Sequence, residues 1–150
     1  MQPLPQAALQ EDQDFATLSA AVAAHEDDAV ADSELNCLAV GVYYEAKSEP
    51  LAGQLAVADV ILNRTKSGRF PKSVCSVITQ RGQFSFVRGG KLPTPPANNQ
   101  WRKALAVAKV AQKDLWDSPA GNALYFHARY AKPGWNRAQV AAVGNHIFYR

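Results

Sequence analysis

Residues 34–66 read ELNCLAVGVYYEAKSEPLAGQLAVADVILNRTK, and their spacing decides the fold. Asp32 and Ser33 offer N-caps just ahead of this stretch. Leu35, Leu38, Ala39, Val42, Tyr43 and Ala46 then recur at steps of three and four, which predicts a helix over 34–47 with one buried face. Pro50 suits a first helical position. After it Leu51, Leu55, Ala58 and Leu62 share a face, while Val57, Val60 and Ile61 widen the apolar surface to most of the circumference. A helix over 50–66 that is apolar nearly all round belongs at the centre of a core.

Outward from this pair the chain stays mainly helical. Ser67-Gly68 ends the second helix, and Phe70 to Ile78, with Pro71 in its first turn, reads as a short third. Residues 80–99 hold three glycines, three prolines and the alternating Phe84 and Phe86, the composition of a short extended segment and a long loop. Asn98 or Asn99 caps a fourth helix running to about Trp116, stopped by Ser118-Pro119-Ala-Gly121. Residues 123–127 and 146–149 are short, aromatic and β-prone, and are expected to pair as a small antiparallel ribbon around a turn at 132–135 and a helical turn near 136–142. The order of elements gives an α+β class, mainly helical.

With 150 residues the chain suffices for one compact core, and no apolar run reaches the ~18 residues that span a bilayer. The net charge of +3 hides a division. Residues 1–36 carry eight acids and no Lys or Arg, whereas sixteen bases against five acids leave 37–150 at +11. Residues 1–33 therefore read as an acidic, flexible arm or linker, with at most a frayed helix around 12–25, and 34–150 as a basic domain suited to an anionic polymer or surface. The N-terminus lacks the basic start and apolar core of a secretory signal, so either the protein is cytoplasmic or a signal has been removed. Nucleic acid fits poorly, because the aromatic residues do not interleave with Lys and Arg as a stacking platform requires.

Phosphate loops, dinucleotide fingerprints and the zinc and serine-hydrolase motifs are absent from the sequence. Cys37 and Cys75 have no zinc-type spacing; they are either two buried thiols or a bridge closing a 38-residue loop. His127 and His146 fall in the ribbon, where hydrogen-bonded or cleft-facing roles are favoured over a metal site. The basic domain contains only Glu45, Glu49, Asp59, Asp114 and Asp117 as acids. Asp114 and Asp117 read as surface charges and Asp59 as a hydrogen-bonded partner on the apolar helix. Glu45 differs, since it ends the first helix between Tyr43, Tyr44 and Lys47. The helix's negative end and apolar neighbours favour its neutral form while Lys47 opposes it. A carboxyl kept partly protonated is what a general acid for glycosidic cleavage needs, and a solvated glutamate is the plain alternative.

The segment from Cys37 to Pro50, continued by Gly53 to Arg64, resembles the opening of the cell-wall hydrolases of the spore-cortex-lytic (SleB) type. Phe70 to Cys75, Gln83 to Phe86, Ala123 to His127, Pro133 to Trp135 and Gly144 to Tyr149 follow in that family's order and spacing. The resemblance covers about 35–150. It implies a lysozyme-like, lytic-transglycosylase-like domain that cuts peptidoglycan glycan strands between N-acetylmuramic acid and N-acetylglucosamine. Glu45 would be acid and then base, leaving 1,6-anhydro-muramic acid ends without a second carboxylate. A hydrolytic muramidase using water and Glu49 or another group is the alternative, and a wall-binding protein without activity a further one.

The resemblance also implies substrate contacts at Gln83, Phe84 and Ser85 across the cleft from Glu45, with a core role for Phe84 equally open. Tyr125, His127, Trp135 and Tyr149 would supply aromatic faces and hydroxyls to a sugar cleft, with packing favoured for Trp135 and Tyr149, and Tyr44 and Gln54 would orient. Lys47-Ser48 stands where the family's commonest motif has Arg-Gly, which puts the geometry just after Glu45 in question. A protein of this family must reach the wall, so a removed signal sequence, a periplasmic or extracellular location and a Cys37–Cys75 disulfide are expected. No cofactor or metal is implied, anionic wall polymers would be partners alongside the glycan, and a monomer is expected.

Overall fold

The computed structural model describes residues 15–26, 32–131 and 133–150. Five helices, α1 (Leu18–Ala23), α2 (Ser33–Ala46), α3 (Leu51–Lys66), α4 (Val74–Ile78) and α5 (Asn99–Gln112), precede three strands, β1 (Tyr125–Ala128), β2 (Gln139–Val143) and β3 (His146–Tyr149). The class is mainly helical α+β, as the sequence predicts.

The long helices start where the caps put them. Asp32 accepts from the Leu35 amide at 2.7 Å and Asn98 from the Trp101 amide at 2.8 Å, each satisfying an amide that the first turn leaves without a partner. Pro50 sits one position before α3 rather than inside it. The third helix is shorter than its sequence suggests, because Ser73 rather than Pro71 caps it and α4 starts only at Val74. The fourth stops at Gln112, short of Trp116. There Asp114 turns to φ 53° and the Leu115 amide reaches back to the Val110 carbonyl, closing the helix before its apolar pattern ends.

Helices α2, α3 and α5 enclose the core. Leu38 and Val42 of α2, Leu55, Val57 and Ile61 of α3, and Val107 and Val110 of α5 are almost fully buried. Removing one such leucine costs about 3–5 kcal/mol, lost transfer energy plus a cavity. Gly41 is required by close approach, since a Cβ there would lie 2.7 Å from Ile78 Cδ1 and 3.0 Å from Ile61 Cδ1. Glu34, in the first turn of α2, accepts from the Val74 and Cys75 amides at 2.6 and 3.0 Å and so fastens the start of α4 to the start of α2. The Cys37–Cys75 disulfide joins the same two helices. Part of the stretch read as an arm packs on the body: Ala21 and Val22 of α1 are buried, and Glu26 pairs with Lys103 of α5 at 3.3 Å. Residues 1–14 and 27–31 of that arm lie outside the described residues.

The sheet order is β1-β3-β2, all antiparallel, with Tyr125 opposite Tyr149 and Ala128 opposite His146. The two segments expected to form a ribbon do pair. The third strand replaces the expected helical turn near 136–142: β2 pairs with β3 through a bulge between Gln139 and Ala141, where ladder hydrogen bonds outweigh the weak helical preference of an alanine-rich segment. The α2–α3 junction is fixed to this sheet by Glu49, which accepts from the Asn145 backbone amide at 2.6 Å and from its side-chain amide at 3.1 Å. The same carboxylate lies 3.4 Å from His146 Nδ1. Gly144 adopts φ 55°, and a Cβ there would come within 2.5 Å of Glu49 Oε1.

Gly144→Ala is therefore expected to cost about 1–3 kcal/mol, combining left-handed strain with displacement of Glu49. Urea denaturation measures it, and a change below ~0.5 kcal/mol would remove this lock from the account. Reducing Cys37–Cys75 should cost a further ~3–4 kcal/mol. Unfolding midpoints with and without reductant, alongside intact mass after alkylation, read that effect.

Candidate functional site

Glu45 occupies the last turn of α2 and Arg64 the last turn of α3. The two helices leave a cleft of about 340 Å³ between their ends and the sheet, lined by Glu45, Arg64, Gly82, Gln83, Phe84, Tyr125, Phe126, Trp135 and Arg137. Glu45 is the only carboxylate among these residues. Burial holds its carboxyl at a pKa of about 7, with Arg64 pulling in the opposite direction. Loss of hydration disfavours the anion more than one guanidinium restores it.

Arg64 is a fixed group. It is 5% exposed, its Nε donates to the Leu124 carbonyl at 2.8 Å and an Nη to Gln83 Oε1 at 3.2 Å, and its guanidinium lies 4.6 Å from the Phe70 ring centroid. Burial lowers its pKa, countered by Tyr125 and then Glu45. The Arg64 contact also orients Gln83, so one buried cation holds an amide facing the cleft and acts on Glu45 through its charge.

The structure brings some of the sequence-predicted residues together and separates others. Gln83, Phe84 and Tyr125 line the cleft with Glu45. Phe84 is both core and lining, 5% exposed and 5.5 Å from the Phe86 ring. Tyr44 backs the cleft rather than lining it: its ring stacks on Phe86 at 5.2 Å and meets Tyr43 edge-on at 4.9 Å. Ser85 is exposed outside the lining residues. Gln54 is also outside the lining residues; it is 3% exposed, and its amide donates to the Glu49 carbonyl at 3.1 Å, a contact at the start of α3. His127 is engaged with its neighbours, Nδ1 donating to the Ala128 carbonyl at 2.6 Å and Nε2 accepting from the Tyr149 hydroxyl at 2.7 Å.

Of the two roles open to Trp135, cleft lining and packing, the structure shows the first. It is 39% exposed and lines the cleft, its ring 5.9 Å from Tyr125 and 5.4 Å from both His127 and Tyr149. Tyr149 does pack, stacked on His127. Arg64, Phe126 and Arg137 are cleft residues that sequence reasoning missed. A signal for Arg64 existed, a cation closing an otherwise apolar helix; Arg137 had none.

Other carboxylates are placed elsewhere. Glu49 is committed to the β2–β3 turn. Asp59 hydrogen-bonds Ser118, and burial lifts its pKa to about 6. His146, beside Glu49, has its pKa lowered by burial. No group of three His, Cys, Asp or Glu suited to a metal ion occurs among the described residues. A larger cavity of about 460 Å³ adjoins the cleft across Gly82 and Phe84, and no carboxylate lines it.

Comparison with known proteins fits this geometry. The spore cortex-lytic enzyme of Oceanobacillus iheyensis is 41% identical over 119 residues, 77% of this chain and 41% of that protein. That of Bacillus subtilis is 37% identical over 131 residues, 85% and 41% respectively. The chain thus spans about two fifths of the length of these curated relatives. Among solved structures, the catalytic domain of the germination-specific lytic transglycosylase SleB from Bacillus anthracis superposes with a TM-score of 0.66 at 36% identity, covering 82% of this chain and 98% of that one. The catalytic domain of Bacillus cereus SleB gives 0.65 at 36% identity, with 82% and 94% covered. The family described as Cell Wall Hydrolase matches residues 48–149, a span that starts just after Glu45 and takes in Arg64, the 83–84 loop wall and the sheet. By sequence and by fold, the chain belongs to the cell wall hydrolase family.

Proposed function

We propose that this chain cleaves the β-1,4 bond between N-acetylmuramic acid and N-acetylglucosamine in peptidoglycan, as a lytic transglycosylase in which Glu45 serves as acid and then as base. The observation that carries this is a single cleft carboxyl buried to a pKa of about 7 beside a fixed guanidinium. Near neutral pH such a group is divided between its two forms, which suits a residue that must give a proton and take one back.

In the first step Glu45 protonates the glycosidic oxygen as the bond from C1 of muramic acid breaks. The positive character left on that sugar is then quenched by its own C6 hydroxyl. O6 bonds to C1, its proton passes to the Glu45 carboxylate, and the 1,6-anhydro ring closes with no water consumed. Arg64 stabilises the transient carboxylate without being close-packed enough to keep it ionised throughout. Hydrolysis by paired carboxylates would require a partner at ~5–5.5 Å for retention or ~6.5–9.5 Å for inversion. Glu49 is spent on Asn145 and Asp59 on Ser118, which favours the internal nucleophile. Gln83, Phe84, Tyr125 and Trp135 would hold the sugars, Trp135 by stacking. The names borne by the relatives support the same chemistry, and the +11 segment supports attraction to anionic wall polymers. Action on the wall calls for export to the periplasm or the cell exterior.

Digestion of purified peptidoglycan followed by mass analysis of the released fragments should show 1,6-anhydro-muramic acid ends, with release abolished by Glu45→Gln. Reducing ends would replace the transglycosylase by a hydrolase, and an active Glu45→Gln would remove Glu45 from the mechanism.

The pKa of Glu45 sets two pH dependences. Because the acid must be protonated at the start, kcat/KM should fall as pH rises through about 7. Between its ordinary value of 4.5 and about 7 the folded protein holds a proton that the unfolded chain has released, so stability declines over that window and stays lower above it, by about 2–3 kcal/mol. Glu45→Gln should accordingly be the more stable protein at pH 8 and lose that advantage towards pH 4.5. Equal urea midpoints at pH 8 would contradict the buried acid.

A further inference from the structure

Arg137 lines the same cleft as Glu45, yet it is held quite differently from Arg64. Arg64 is buried with its N–H groups spent on Leu124 and Gln83. Arg137 is exposed, and its guanidinium carbon lies 3.6 Å from the centroid of the Tyr125 ring. Stacking uses the face of the guanidinium and leaves its edge of N–H donors free. Arg137 takes no part in the Glu26–Lys103 and Glu49–His146 ion pairs. A cation oriented by an aromatic face, with its donor fork unspent, is arranged to receive a planar anion.

The polymer proposed for this cleft supplies one. A glycan of N-acetylglucosamine alone is neutral. In a wall glycan every second sugar carries a lactyl ether, whose acid is free or extended by a stem peptide with carboxylates of its own. We propose that Arg137, stacked on Tyr125, is a carboxylate-binding subsite that takes the acid carried by the muramic acid substituent, and so ranks acid-bearing glycan above neutral glycan. This rests on the assignment of the cleft to glycan cleavage and adds the group by which it selects its substrate. Arg137 binds and does not transfer protons.

The test measures binding in the full chain carrying Glu45→Gln, by calorimetry at low salt, with four soluble probes. These are stem-bearing glycan strands, strands freed of stems so that the lactyl acid is exposed, the latter after carbodiimide amidation, and chitohexaose. Acid-bearing strands should bind about tenfold more tightly than amidated ones, and the gap should narrow as salt screens an exposed pair. Adding Arg137→Ala should erase the gap while leaving chitohexaose within twofold, and Arg137→Lys should restore part of it. Lys113→Ala, which removes an exposed charge outside the cleft, should leave the gap intact. Preference for stem-free strands alone identifies the lactyl carboxylate, and for stem-bearing strands alone a peptide carboxylate. A gap that survives Arg137→Ala, or no gap with Arg137 present, overturns the subsite while glycan binding itself stands. Failure of all four probes to bind would instead overturn the assignment of the cleft, and the subsite with it.

Discussion

A carboxyl group largely shielded from water at the end of α2, with a guanidinium fixed at the end of α3, is the constraint around which the rest of the molecule is arranged. Neither group would be held this way alone. Burying Glu45 as an anion is unfavourable, and burying Arg64 as a cation requires that its donors find acceptors. The fold meets the second requirement with the Leu124 carbonyl and Gln83, and meets the first only in part. The carboxyl is left near the midpoint of its titration. That compensation is incomplete in both directions, since a stronger pairing would lock Glu45 as a carboxylate and a drier site would keep it as an acid.

Holding two helix ends at this separation takes supports outside the cleft. Glu34 and the Cys37–Cys75 bridge tie α4 to the beginning of α2. Glu49 ties the other end to the β2–β3 turn, and only glycine at 144 allows its carboxylate so close. The three residues between Glu45 and Glu49 thus separate a carboxyl held towards its neutral form from a carboxylate that is fully committed. Their different fates follow from hydrogen-bond supply. Glu49 meets two donors from Asn145 and a histidine ring, whereas Glu45 meets aromatic and apolar neighbours with one buried cation.

The helical core was legible because its signal is local. Apolar residues at three- and four-residue steps and the caps at Asp32 and Asn98 carry their own physical cause, and α2, α3 and α5 lie within a few residues of the predicted spans. Pairing of 123–127 with 146–149 was legible from aromatic, β-prone composition. The intervening β2 was not, because the alanines around Gln139–Val143 have no strong preference and take their strand form from the ladder to β3. The position of Gln54 relative to the cleft was not legible for a related reason. Its place in the helix was correctly read, but which side of a helix that is buried all round looks into a cleft is a matter of what packs there.

Sequence by itself determined the helical class, the division into an acidic segment and a basic domain, the family resemblance, and Glu45 as the acid worth attention, all through periodicity, charge and motif order along the chain. The tertiary structure alone decided that Glu45 is poised rather than solvated, that Glu49 is structural, and that Arg64, Trp135 and Arg137 share its cleft. Desolvation and Coulomb coupling depend on distance through space, and residues 45, 64, 83, 125 and 137 become neighbours only when the helices and the sheet have packed.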